Sequence, residues 1–166
     1  MIASAQTIRE RQPILPFLER GKHNGMTFGL GPAGYDIRAA EDIDLLPGGF
    51  QLGSSLEQFI MPNDMLGVVH DKSSWARKGL ALQNTVIEPG WKGYLTLEYT
   101  NHLPSVGEHL RNSGGWPWNH ILIKRGDPIA QIIFHMLDKP TDQPYNGKYQ
   151  NQAAGPQEAI HEGEVT

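Results

Sequence analysis

A mainly β fold with only short helices is what this 166-residue chain predicts, and three observations predict it. Apolar residues come in short runs rather than along one long helical stripe. Turn formers, 19 Gly and 12 Pro, are spread between those runs. Where a run is long enough to show a period, at "YLTLEYT" (94–100), the period is two. The length suits one domain, residues 1–166, with a single substantial core.

Taken in order, "SAQTIRERQPILPFLERG" (4–21) allows a short helix around Thr7 to Arg11, which Pro13 and Pro16 stop from growing. "YDIRAAEDIDLLPGGF" (35–50) alternates briefly and ends in a Pro-Gly-Gly turn, and "QFIMPNDMLGVV" (58–69) reads as two short strands around "PND". The first half is thus expected to be a β-meander. Glu88-Pro89-Gly90-Trp91 carries a type II turn signature, because Pro presets φ and Gly accepts the positive φ that follows. Beyond it Leu95, Leu97 and Tyr99 face one way and Thr96, Glu98 and Thr100 the other. A hairpin closing symmetrically around this turn sets Glu98 beside or opposite Gln83 and Asn84. "NHLPSVGEHLRNSGGWPWNH" (101–120) is expected to be a long loop, with an insertion at about 102–119. "ILIKRGDPIAQIIFHML" (121–137) reads as strand, tight turn, strand, and the tail at about 141–166 has no hydrophobic period.

Composition removes several function classes. With no cysteine there is no disulfide framework, thiol nucleophile or thiolate zinc site. No apolar run reaches the roughly 18 residues of a membrane span, so we expect a soluble, cytoplasmic protein without membrane partners. A formal charge of −4 argues against a general nucleic-acid binder. Any anionic ligand must then meet a local cluster.

"HDKSSWARKGL" (70–80) is such a cluster. Ser73 and Arg77, four apart, share a face on a helical turn; Arg77 can grip a phosphate bidentately, Lys72 adds a point charge, and the hydroxyls donate. The same spacing also fits an ordinary helix cap with a solvated basic face. Glu98 sits mid-strand, where a carboxylate is costly if buried and commonplace if exposed. "PYNGKYQNQ" (144–152) pairs aromatic faces with amides, which suits a nucleobase or sugar beneath a closing tail, or else a loose terminus.

Together and in order, "GYDIR" (34–38), "KSSWARKGL" (72–80), "VIEPGWKGYLTLEYTN" (86–101), "GDPIAQIIF" (126–134) and "PYNGKYQNQ" resemble the dCTP deaminase branch of the dUTPase-like superfamily. The resemblance implies a distorted, jelly-roll-like β-barrel assembled as a homotrimer with sites at the subunit interfaces. It implies zinc-independent deamination of dCTP to dUTP and ammonia, with Mg2+ carried on the triphosphate and no metal held by the protein. Glu98 is then the general base, and Ser73 and Arg77 place and polarise the reacting centre. Lys72 and Ser74 reach the phosphates, residues around Asn84 read the base edge, and Glu88 and Trp91 line the site. Tyr145, Lys148, Tyr149 and Gln152 match the segment that closes over the nucleotide. Asn84 and Val86 stand where these deaminases carry an Ala and a basic residue. In dUTPases an Asp aligned with Glu88 positions the water that attacks phosphorus. A bifunctional deaminase/dUTPase giving dUMP and pyrophosphate, or a dUTPase, is therefore the alternative, and behind it a catalytically weak nucleotide-binding regulator.

Overall fold

In the computed structural model, which describes residues 1–83, 85–105 and 119–161, β-strands dominate. The chain begins with helix α1 (Ala5–Arg11), capped by the Ser4 side chain, which accepts from the Thr7 amide, and ending at Gln12 in the left-handed region (φ 44°). Strands β1 (Ile14–Leu15), β2 (Arg20–His23), β3 (Met26–Gly31), β4 (Gly34–Arg38), β5 (Ile43–Leu45), β6 (Phe50–Ile60) and β7 (Met65–Asp71) follow. A one-turn helix α2 (Ser73–Ala76) leads into β8 (Leu80–Leu82), β9 (Val86–Ile87), β10 (Lys92–Asn101), β11 (Ile121–Ile123) and β12 (Pro128–Met136).

The strands form a six-stranded sheet in the order β2-β3-β4-β12-β7-β9, a four-stranded sheet β1-β6-β10-β8, and a pair β11-β5. Only β2, β3 and β4 make the expected meander. After β4 the chain changes sheet at nearly every turn: β6 and β7, on either side of "PND", lie in different sheets. The reason is burial. Both strands alternate in burial, β6 turning Ser55, Glu57 and Phe59 inward and β7 Met65, Gly67 and Val69, towards one core from opposite sides, as stacked sheets do. Tyr35 and Ile37 from β4, Phe59 from β6, Tyr99 from β10 and Ile132 and Phe134 from β12 are all fully buried in one cluster.

The expected hairpin around Glu88 to Trp91 is half right. The turn is there, with Gly90 at φ 82° and the Trp91 amide donating to the Glu88 carbonyl at 3.1 Å. However, β9 pairs with β7 rather than β10, since Val86 lies beside Val68 and Ile87 beside Gly67. Among the described residues, the two arms part after the turn and meet again at the far end, where Tyr99 pairs with Leu82 and the Gln83 amide donates to the Glu98 carbonyl at 3.2 Å. The divergence opens a gap between them, and that gap becomes a cavity.

Candidate active site

Strand β10 supplies the floor of the site. Its burial alternates residue by residue from Gly93 to Asn101, so Leu95, Leu97 and Tyr99 enter the core while Thr96 and Glu98 look out, half-buried. The arms that parted at the turn, together with the tail, enclose a cavity of about 520 Å³ above this outward face. Thr96, Glu98, Trp91, Glu88 and Val86 line it from the body, and Tyr145, Tyr149, Gln152, Gln157 and Glu158 from the tail. Partial burial pushes the Glu98 carboxyl above its ordinary value. No lysine or arginine is among the described residues of this lining.

The tail is ordered by specific bonds. The Trp91 indole donates to the Tyr149 carbonyl at 2.7 Å, and the Gln150 side chain donates to the Gly90 and Tyr145 carbonyls at 3.0 and 2.8 Å. Gln152 donates to the Tyr94 carbonyl and to the Thr96 hydroxyl, each at 2.8 Å. A side chain at Gly93 would sit 2.8 Å from the Gln152 amide nitrogen, which is why the second residue of the strand is a glycine. Lys148 is exposed and lies 5.4 Å from the centre of the Tyr149 ring.

The basic stretch lies elsewhere. Trp75 plugs α2 into the body, its indole donating to the Pro128 carbonyl at 2.7 Å. That anchoring leaves Ser73 and Arg77 exposed on the same face, as their spacing predicts, and Ser74 partly covered. Arg77 lines a second recess with Lys78, Asn119 and His120, and this recess shares no lining residue with the Glu98 cavity. Within one chain, therefore, Glu98, Glu88, Trp91, Tyr145, Tyr149 and Gln152 are brought together, and Ser73 and Arg77 are not brought to them.

Lys72, expected to be free for phosphate, is buried at 8 % exposure with its Nζ 2.5 Å from Asp36 Oδ2. A lysine at the entry of a helix looks like a solvent-facing charge in sequence. Its partner stands 36 positions away on β4, and only the fold reveals it. Asn84 and most of the 102–119 insertion fall outside the described residues. Thr96, Gln157 and Glu158 were missed at the cavity. The alternation of β10 held the signal for Thr96, which shares the face of Glu98; the other two belong to a tail without period and gave none.

Comparison with known proteins follows the same lines. Residues 29–107 match the model of a dCTP deaminase-like family. A dCTP deaminase of Campylobacter lari is 30% identical over 86% of this chain and 87% of its own length. One from Acidobacterium capsulatum is 29% identical over 91% and 94%. Among solved structures, the dUTPase from phage phi11 of S. aureus superposes with a TM-score of 0.56 at 19% identity, covering 79% of this chain and 90% of that one. This likeness places the fold among the dUTPase-like proteins.

Proposed function

Because the chain belongs to the dCTP deaminase-like family, we propose that it is an enzyme that hydrolyses the cytosine amino group of dCTP, giving dUTP and ammonia without zinc. The observation that carries this reading is Glu98, half-buried on the floor of a cavity roofed by tyrosines and a glutamine of the tail. A carboxylate in that setting can take a proton from a water attacking C4 and deliver protons to ring N3 and to the amino group as it leaves. The atoms balance: water supplies the new oxygen at C4, and of its two hydrogens, relayed through the carboxylate, one ends on ring N3 and the other leaves with the amino group as ammonia.

The substrate is a nucleoside triphosphate carrying its own Mg2+, which lowers the charge a protein must meet. The Glu98 cavity has no cation among its described lining residues, and the recess of Arg77 has two, Arg77 and Lys78. We propose that the two halves join between subunits of a homotrimer. Ser73, Ser74 and Arg77 of one copy would then face Glu98 of the next, where the guanidinium supports the ionised base and the charge that builds on the intermediate. Trp91, Tyr145, Tyr149 and Gln152 would enclose the nucleoside, Asn84 would read the base edge, and Lys148 would meet the phosphates at the rim. Lys72 acts from behind in this arrangement, holding the entry to α2 through Asp36. The whole chain works as one domain whose C-terminal segment, from about residue 141, is the lid. No helix among the described residues is long and apolar enough to cross a membrane; the cytoplasmic location we propose follows from the proposed substrate alone.

Glu88 stands at the cavity lip, so the phosphates need a separate test. Purified protein with Mg2+ is incubated with dCTP or dUTP while ammonia and pyrophosphate are followed. Ammonia from dCTP without pyrophosphate is expected. Pyrophosphate as well would make Glu88 a second catalytic group, and neither product would overturn the enzyme reading.

A further inference from the structure

Two of the bonds that fasten the tail converge on one oxygen. Strand β8 covers β10 only from Tyr99 to Asn101, and the same edge further back is taken by the tail, through a bridge between Gly93 and Gln152. The Tyr94 amide donates to the Gln152 carbonyl at 3.1 Å, and the Gln152 side chain returns a bond to the Tyr94 carbonyl at 2.8 Å. Beyond this point the chain leaves the strand, turns through Gly155 at φ 94°, and comes back. It lands on the residue it has just left. Thr96 Oγ1 accepts from Gln152 Nε2 at 2.8 Å and from the Gln157 amide at 3.0 Å.

Both acceptor positions of the hydroxyl are thereby used, one on each end of the loop 153–156. The residues that follow, Glu158 and Ala159, pass over the cavity, and the Ile160 amide donates to the Tyr149 hydroxyl at 3.0 Å. Thr96 itself is two residues from Glu98 on the same face of β10 and lines the same cavity. We infer that Thr96 is the latch of the lid, a positioning residue whose single hydroxyl holds both ends of the covering loop over Glu98. Losing this oxygen frees the Gln157 amide and unties the two ends of the loop from each other, while Gln152 keeps its bonds to Tyr94. Valine has the same shape without the acceptor, and serine keeps the acceptor without the methyl group.

The inference rests on the lid reading above, and its test separates the two. Amide hydrogen exchange over residues 152–160 is measured on the ligand-free protein, wild type, Thr96→Val and Thr96→Ser. Losing two hydrogen bonds should raise exchange in Thr96→Val by about tenfold, with Thr96→Ser within about twofold of wild type and thermal unfolding little changed. In steady-state assays with dCTP, KM should rise several-fold in Thr96→Val and return in Thr96→Ser. Unchanged exchange in Thr96→Val would overturn the latch, as would a serine variant as loose as the valine one. Should Thr96→Val fail to fold, Gln152→Ala loosens the same loop from the other side and is read in the same way. If the wild type releases no ammonia while Thr96→Val still exchanges faster, the deaminase reading falls and the latch stands.

Discussion

Glu98 has to be ionised to serve as a base, yet its surroundings in the single chain oppose this. Burial raises its pKa, and no ion pair reaches it among the described residues. A cation facing it acts in the opposite direction and lowers the pKa. The sign of a pH experiment follows. If Arg77 of a neighbouring copy supplies that cation, Arg77→Gln leaves Glu98 protonated to higher pH, so the acidic limb of kcat/KM moves upward by about 1 unit. The remaining rate falls roughly 10²-fold with the lost charge stabilisation. An acidic limb that stays in place would show that Arg77 does not face the base. Glu98→Gln keeps the shape and removes the proton acceptor, so ammonia release should vanish while calorimetry finds dCTP bound within a few-fold of wild type. Much of this was legible in the sequence, because a period of two assigns Thr96 and Glu98 to one face with no further knowledge. Lys72 was not legible, since a residue's neighbours along the chain say nothing about a carboxylate brought up from β4.

At the scale of elements, alternation tells which side of a strand is buried and leaves its partner open. That is why β6 and β7 were placed correctly as strands and wrongly as neighbours, and why β10, expected to pair with the arm before its turn along their whole length, lies between β6 and β8. Their sorting into two sheets depends on contacts far apart in sequence, and one of these is a buried ion pair. Arg38, at the end of β4, donates from Nε to Glu57 Oε1 at 2.7 Å and from its backbone amide to Oε2 at 2.9 Å, and Glu57 on β6 is fully buried. Burial raises the Glu57 pKa, and the Arg38 bonds work against that. The pair ties the six-stranded sheet to the four-stranded one. Removing one partner of a buried pair leaves the other charge unpaired, at a cost of about 3–5 kcal/mol. Arg38→Ala should therefore lower the unfolding free energy obtained from urea titration by an amount of that order. A change below about 1 kcal/mol would mean that water reaches Glu57 and replaces the arginine.

For the whole molecule, the proposed function requires a site that one chain holds in two separate parts. The acidic half, with Glu98, Glu88 and Glu158, and the basic half, with Arg77 and Lys78, line separate recesses of one chain. A triphosphate needs both, and a closed ring of copies supplies both when each chain lends its basic face to the next chain's cavity. Sequence blocks read in order could suggest this assembly only through resemblance, because no spacing within a chain encodes which copy a side chain will face. The division makes a quantitative prediction. In Glu98→Gln every base is missing and in Arg77→Gln every arginine, so each variant alone is nearly inactive. Mixed trimers formed by unfolding and refolding the two together contain one site in which an intact Glu98 meets an intact Arg77. With random assembly of equal amounts, about three quarters of the trimers are mixed, each with one good site in three, so activity should recover to about a quarter of wild type. A mixture no more active than its parents would place Arg77 and Glu98 in the same chain's site, and a fully active species sedimenting as a monomer would do so directly.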